Sequence, residues 1–81
     1  MKVQVKLFAV AKELAGCNEL TVDLPEGATV SDLRAAVVHK WPKVARIVPQ
    51  AVWAVGAEYA NDETKLNEDS EVALIPPVSG G

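Results

Sequence analysis

The chain has 81 residues and a mass of 8.6 kDa, with 49% hydrophobic and 23% charged residues and a mean hydropathy of +0.12. That composition describes one folded domain and excludes a disordered chain. Eight Lys and Arg against eleven Asp and Glu give a net charge of −3 and an isoelectric point near 5.0. The basic residues run from Lys2 to Lys65 without forming the phosphate-neutralising stripe that a nucleic-acid binder needs.

In chain order, Lys2 to Leu7 alternates polar and apolar residues with a period of two, which predicts a strand with Val3, Val5 and Leu7 facing the core. Ala9 to Ala15 reads as a short helix closed by Gly16, a residue free to take the left-handed conformation past a helix end. Glu19 to Leu24 alternates again with Leu20, Val22 and Leu24 on one face, so an antiparallel N-terminal hairpin is expected. Pro25-Glu26-Gly27 punctuates the chain.

Thr29 is then the expected N-cap of a helix from Val30 to Lys40, with Asp32 completing a capping box and Ala28 and Leu33 a hydrophobic staple. Val30, Leu33, Val37 and the aliphatic stem of Lys40 form its sheet-facing side, and Trp41-Pro42 ends it. Ala51 to Val55, apolar on both faces, predicts a central strand. Gly56-Ala57 turns the chain into a short strand at Glu58 to Ala60. Asn61 to Thr64 and Asn67 to Ser70 are loops around a single apolar anchor, Leu66. Glu71 to Ile75 is the last strand, and Pro76-Pro77 stops it.

One main helix on one face of a mixed sheet of about five strands predicts an α+β fold of the β-grasp type. A right-handed crossover is expected to carry the second strand through the helix to a parallel partner. Residues 1–76 form the domain on this reading, and 77–81 a flexible, extended Gly-Gly tail. Lys2, Lys6, Lys12 and Glu13 break up any signal sequence, and the longest apolar stretch, Ile47 to Ala57, is too short to span a bilayer. A soluble, cytoplasmic protein is the expectation.

Equipment for catalysis is sparse. His39, the sole histidine, falls at the end of a helix, where it is solvated or caps the last carbonyls. Cys17 excludes an intramolecular disulfide and, with Lys12 as its one nearby cation in sequence, lacks the electropositive setting of a reactive thiol. Cys17 and His39 together fall short of a zinc site, and no metal is expected. The acidic residues Glu58, Asp62, Glu63, Glu68, Asp69 and Glu71 lack calcium-loop spacing and read as a solvated face. Trp41 and Trp53 are expected at the core or its rim, and Gly27 and Gly56 in turns.

The end of the chain carries more information. Glycine averages about 7% of residues, so a terminal Gly-Gly arises by chance in about one sequence in two hundred. Here it ends a short segment that begins with a strand and a rigid Pro-Pro pair, which sets the direction in which the tail leaves the fold. Pro77 to Gly81, fully extended, reach about 17 Å at roughly 3.3 to 3.6 Å per residue. Two residues without side chains make a tip thin enough for a narrow tunnel. A carboxylate is a poor electrophile until one oxygen becomes a good leaving group. ATP can supply that by forming an acyl adenylate, yet the sequence holds no phosphate-cradling loop. Activation in trans is therefore expected, with no cofactor bound by the chain itself.

Leu7-Phe8-Ala9, Ala11-Lys12-Glu13-Leu14, Gly16, the Thr29-Val30-Ser31-Asp32-Leu33 helix start and the ending Glu71 to Gly81, Pro-Pro-Val-Ser-Gly-Gly above all, resemble the molybdopterin synthase small-subunit family over the whole chain. The resemblance implies a ubiquitin-like sulfur carrier of molybdenum cofactor biosynthesis. An E1-like adenylyltransferase would adenylate Gly81, a sulfur donor protein would convert it to a thiocarboxylate, and the tail would enter the large synthase subunit, which holds the catalytic pocket. There one sulfur per carrier would reach the cyclic pyranopterin precursor and build its dithiolene. Gly81 is then the reacting residue, and Gly80, Ser79, Val78, Pro77, Ile75 and Phe8 the partner-binding ones, in a heterotetramer of two small and two large subunits.

Three departures from the family pattern are Glu68-Asp69-Ser70 before the last strand, Gly56 in its turn, and Lys12 where Arg is usual, which weakens any bidentate contact to a partner carboxylate. Two placements are open for Phe8: outward beside Ile75, as part of a docking patch, or turned into the core. A lysine-conjugating protein modifier and a thiamine-pathway sulfur carrier share the same tail chemistry, and a purely structural interaction domain is a further alternative.

Overall fold

A computed structural model describes residues 1–77. β1 (Lys2–Leu7) runs into α1 (Ala9–Ala15), and β2 (Glu19–Asp23) returns antiparallel to β1, pairing Lys6 with Glu19 and Lys2 with Asp23. α2 (Val30–Lys40), α3 (Pro42–Ala45) and a 3₁₀ turn at Val48–Gln50 lead to β3 (Val52–Val55), β4 (Glu58–Tyr59) and β5 (Glu71–Ile75). The sheet order is β2-β1-β5-β3-β4. β5 is parallel to β1 and antiparallel to β3, so the last strand sits in the middle with a partner on each side.

Strand periodicity decides the core. Val3, Val5, Leu7, Leu20, Val22, Trp53, Val72 and Leu74 point to the helix side, and all are buried there. Val30, Leu33 and Val37 come down on them from α2, one helical turn apart.

The start of α2 is tied down by several devices. Thr29 Oγ1 accepts from Asp32 N at 3.4 Å, while Thr29 N donates to Asp32 Oδ2 at 2.9 Å, the expected capping box. Ala28 and Leu33, flanking it, are both buried. The two preceding amides find backbone acceptors in the loop before β5: Val30 N donates to Thr64 O at 3.0 Å and Ser31 N to Asp62 O at 3.1 Å. Arg34 pairs with Asp62, and Leu66 is buried below. The stretch read as a free polar loop is thus a cap for a helix, which consumes donors that would otherwise go unpaired.

Several expectations change. The central strand is β5 rather than β3. β3 is not apolar-buried on both faces: only Trp53 is fully buried, because among the described residues no element covers the sheet opposite the helices, and Val52 is 42% exposed. The crossover through α2 does not deliver a parallel neighbour of β2, since β3 lies three places away and the parallel pair is β1 with β5. Trp41-Pro42 ends α2 as expected, and Pro42 also starts a helix: at the first position of α3 its missing N–H costs nothing. Lys40 is exposed, its ammonium held over the Trp41 ring rather than its stem on the sheet.

Gly56 and Ala57 connect β3 to β4 in a two-residue turn with φ of 60° and 66°. Positive φ at both positions matches the twist of the strands and suits glycine, whereas alanine pays for its Cβ. Ala57→Gly is expected to stabilise the fold by about 0.5–1 kcal/mol. Thr29→Ala should cost about 1 kcal/mol. Thermal melts should place the two variants on opposite sides of the wild-type Tm by several degrees; coincident melts would contradict both assignments.

Candidate functional site: the exit of the last strand

β5 ends at Ile75, Pro76 is buried and Pro77 is exposed. The chain therefore leaves the fold from the centre of the sheet. The expected site residues Val78, Ser79, Gly80 and Gly81 lie outside the described residues. Neighbours of the exit follow from register. Leu7 pairs with Leu74, and Phe8, still extended, stands one step further along beside Ile75; Ile75 in turn pairs with Val52.

Leu7 and Leu74 are buried, so alternation turns Phe8, Ile75 and Val52 to the uncovered face. Phe8 is 48% exposed and Ile75 half-buried, which settles the two placements of Phe8 in favour of the surface. The next row on this face is Lys6, Ala73, Ala54 and Tyr59, and Tyr59 is 81% exposed. An apolar strip thus runs from the end of β1 across β5 to β3 and β4, next to the point where the tail departs.

The other half of the same face is polar. Lys2 opposes Asp23, Lys6 opposes Glu19, and Thr21 donates to Gln4 Oε1 at 2.9 Å. Sequence reasoning named Phe8, Ile75 and Pro77, which the structure brings to this edge of the sheet, and did not name their neighbours Val52, Ala54, Ala73 and Tyr59. The parity of Ala73 with Ile75 carried part of that signal; the pairing of β3 with β5 carried the rest and is invisible in the sequence.

Beside Phe8, Lys12 is exposed and borders a surface hollow with Asn18 and Glu19. Gly16, at φ 74°, ends α1 and donates to Lys12 O at 3.0 Å. Cys17 is exposed in the following turn and donates to Glu19 O at 3.3 Å. His39 is exposed in the last turn of α2, and Trp53 is core while Trp41 is half-buried at the rim. Among the described residues no three His, Cys, Asp or Glu side chains converge on one point, and no helix is long and apolar enough to cross a membrane.

A five-stranded mixed sheet carrying α2 on one face, with the chain leaving from its central strand, defines a β-grasp domain of the ubiquitin-like class. The chain belongs to the ThiS family, which it matches over residues 5–81. It is 39% identical to the molybdopterin synthase sulfur carrier subunit of Chlamydomonas reinhardtii across 100% of both chains. SAMP1 of Haloferax volcanii, a small archaeal modifier protein, superposes with a TM-score of 0.87 at 31% identity, covering 100% of each chain. A complex of subunits 1 and 2 of the molybdopterin-converting factor of Helicobacter pylori contains a chain of the same fold, with a TM-score of 0.73 at 23% identity and 100% coverage of both chains.

Because Phe8 contributes to the surface and Leu7 to the core, Phe8→Asp should move stability by no more than about 0.5 kcal/mol. Leu7→Asp, burying an unpaired carboxylate, should abolish the cooperative transition. Circular dichroism melts check both; an unfolded Phe8→Asp chain would place Phe8 in the core.

Proposed function

We propose that this chain is the sulfur carrier subunit of a molybdopterin synthase and that its reactive group is the carboxylate of Gly81. The observation that carries the reading is the exit of the chain from the centre of the sheet beside an apolar strip, in a sequence that aligns end to end with relatives named for that role. On an E1-like activating enzyme, a carboxylate oxygen of Gly81 attacks the α-phosphorus of ATP and pyrophosphate leaves. A sulfide equivalent from a donor protein then attacks the acyl carbon, AMP leaves, and a thiocarboxylate remains. ATP is used in trans, and the chain needs no nucleotide pocket of its own.

The fold supplies position rather than catalysis. Burial of the strip formed by Phe8, Ile75 and Val52 against the large subunit would fix the base of the tail, and Gly80 leaves the tip free of side chains for a narrow entrance. The sulfur acceptor is the cyclic pyranopterin precursor in the large subunit's pocket, and the assembly is a heterotetramer. The H. pylori complex supports the choice of the large subunit as partner. The proposed location is the cytoplasm, where a carrier with one exposed thiol stays reduced.

Incubation with the activating enzyme, ATP and a sulfur source is expected to raise the intact mass by one sulfur-for-oxygen exchange, and deletion of Gly81 to abolish that gain while leaving the Tm in place. An unchanged mass in the full chain would refute the reading. Phe8→Asp should weaken binding to the large subunit by at least about tenfold, since truncated or charged anchors at an interface centre cost more than 1 kcal/mol. A second reading, a protein modifier, draws on the likeness to SAMP1; lysine adducts in cell extracts that vanish with Gly81 would support it.

A further inference from the structure

The helix side of the molecule carries a feature that the tail chemistry does not use. No Asp or Glu occurs between Asp32 and Glu58, whereas Arg34, Lys40, Lys43, Arg46 and His39 all fall there, in a chain whose net charge is −3. Among the described residues the one ion pair joins Arg34 to Asp62, which leaves Lys40, Lys43 and Arg46 without a carboxylate. These cations lie at the junction of α2 and α3, and α1 packs against α3.

Between α1 and this junction lies a cavity of about 350 Å³ with an apolar floor of Leu14, Ala15, Val44 and the Trp41 ring, and with Lys40 and Lys43 at its rim. Val44 is fully buried; Leu14, Ala15 and Trp41 are half-buried; both lysines are exposed. Trp41 is held by its backbone from both sides. Its N–H donates to Val37 O at 2.8 Å, closing α2, and its carbonyl accepts from Val44 N and Ala45 N at 3.0 Å each, opening α3. The backbone that carries the ring is therefore fixed at the joint between the two helices. Lys40 Nζ stands 5.0 Å from the ring centroid, a cation–π contact that also restrains the ammonium. Ordering a lysine is a cost of using it in recognition, and this contact offsets part of it in the free protein.

We infer that this corner is a docking site for an acidic peptide segment of a partner protein, with one apolar side chain in the cavity and carboxylates on Lys40 and Lys43. Charge complementarity argues for the carboxylates and the apolar floor for the anchor. A free anion would leave that floor uncovered. A nucleic acid would need a continuous cationic track and would meet the overall negative charge of the chain. Glu13, the nearest carboxylate in sequence on the α1 wall, borders a different hollow with Lys12. The site shares no residue with the strip around Phe8, so it serves a contact additional to that one.

The test is a titration of isotope-labelled full chain, followed by NMR, with a synthetic heptapeptide of Glu and Asp around a single Leu. Saturable shifts are expected at the Trp41 indole and at Lys43 and Val44, with Phe8 and Ile75 unmoved. Lys40→Glu combined with Lys43→Glu should weaken binding at least about tenfold, as two exposed ion pairs turned repulsive would. Replacing the peptide's Leu by Ser should weaken it as well, and added salt should weaken binding to the unaltered chain. Shifts confined to the open sheet face, affinity insensitive to the double variant, or tighter binding of inorganic phosphate or a single-stranded oligonucleotide would overturn the inference. Should the double variant lose its fold, the salt series on the unaltered chain decides alone: affinity that does not fall with salt overturns it.

Discussion

The pairing of β5 with β1 and β3 is the interaction on which the rest of the structure depends. A strand that closes a chain is usually free to fray, because nothing downstream holds it. Here it is bonded on both sides, in parallel to β1 and antiparallel to β3, and Val72 and Leu74 are fully buried beneath the helices. Removing β5 would separate the β1–β2 hairpin from the β3–β4 hairpin and open the core between them. The consequence for function is mechanical: whatever follows Pro77 is attached to a strand bonded on both sides.

The two faces of the sheet divide the remaining work. The helix face holds nearly all the buried apolar side chains, as a chain of this size requires. The open face needs no cover for stability, so half of it is polar and half of it, around Phe8, Ile75 and Val52, stays apolar beside the chain exit. An apolar surface that the fold does not bury is a surface available to a partner. The α2–α3 corner repeats this logic on the helix side, with the acid-free stretch supplying cations where the core supplies none.

Local signals were legible and long-range ones were not. The alternation in β1, β2 and β5, the capping box at Thr29 and the left-handed closure at Gly16 each rest on residues within four positions of one another, and each stands in the structure. The position of β5 between β1 and β3 depends on contacts dozens of residues apart, which no periodicity encodes. Placing β3 at the centre on the strength of its apolar run treated composition as burial, whereas Val52 lies on the open face, 42% exposed. Pro42 correctly marked the end of α2, but a proline boundary does not say that a second helix starts on its far side. At the candidate site, Phe8 and Ile75 could be named from residue type and alternation, while the strip they belong to required the pairing of Ile75 with Val52.

The central claim is that the domain is a handle and that the reacting atom travels on its last residue. Its most direct test follows a heavy sulfur isotope placed on the C-terminal thiocarboxylate and mixed with the large subunit and the cyclic pyranopterin precursor. The account predicts that the label leaves the carrier and appears in the pterin dithiolene, with the carrier returned as the carboxylate. Sulfurated pterin formed while the label stays on the carrier would contradict it.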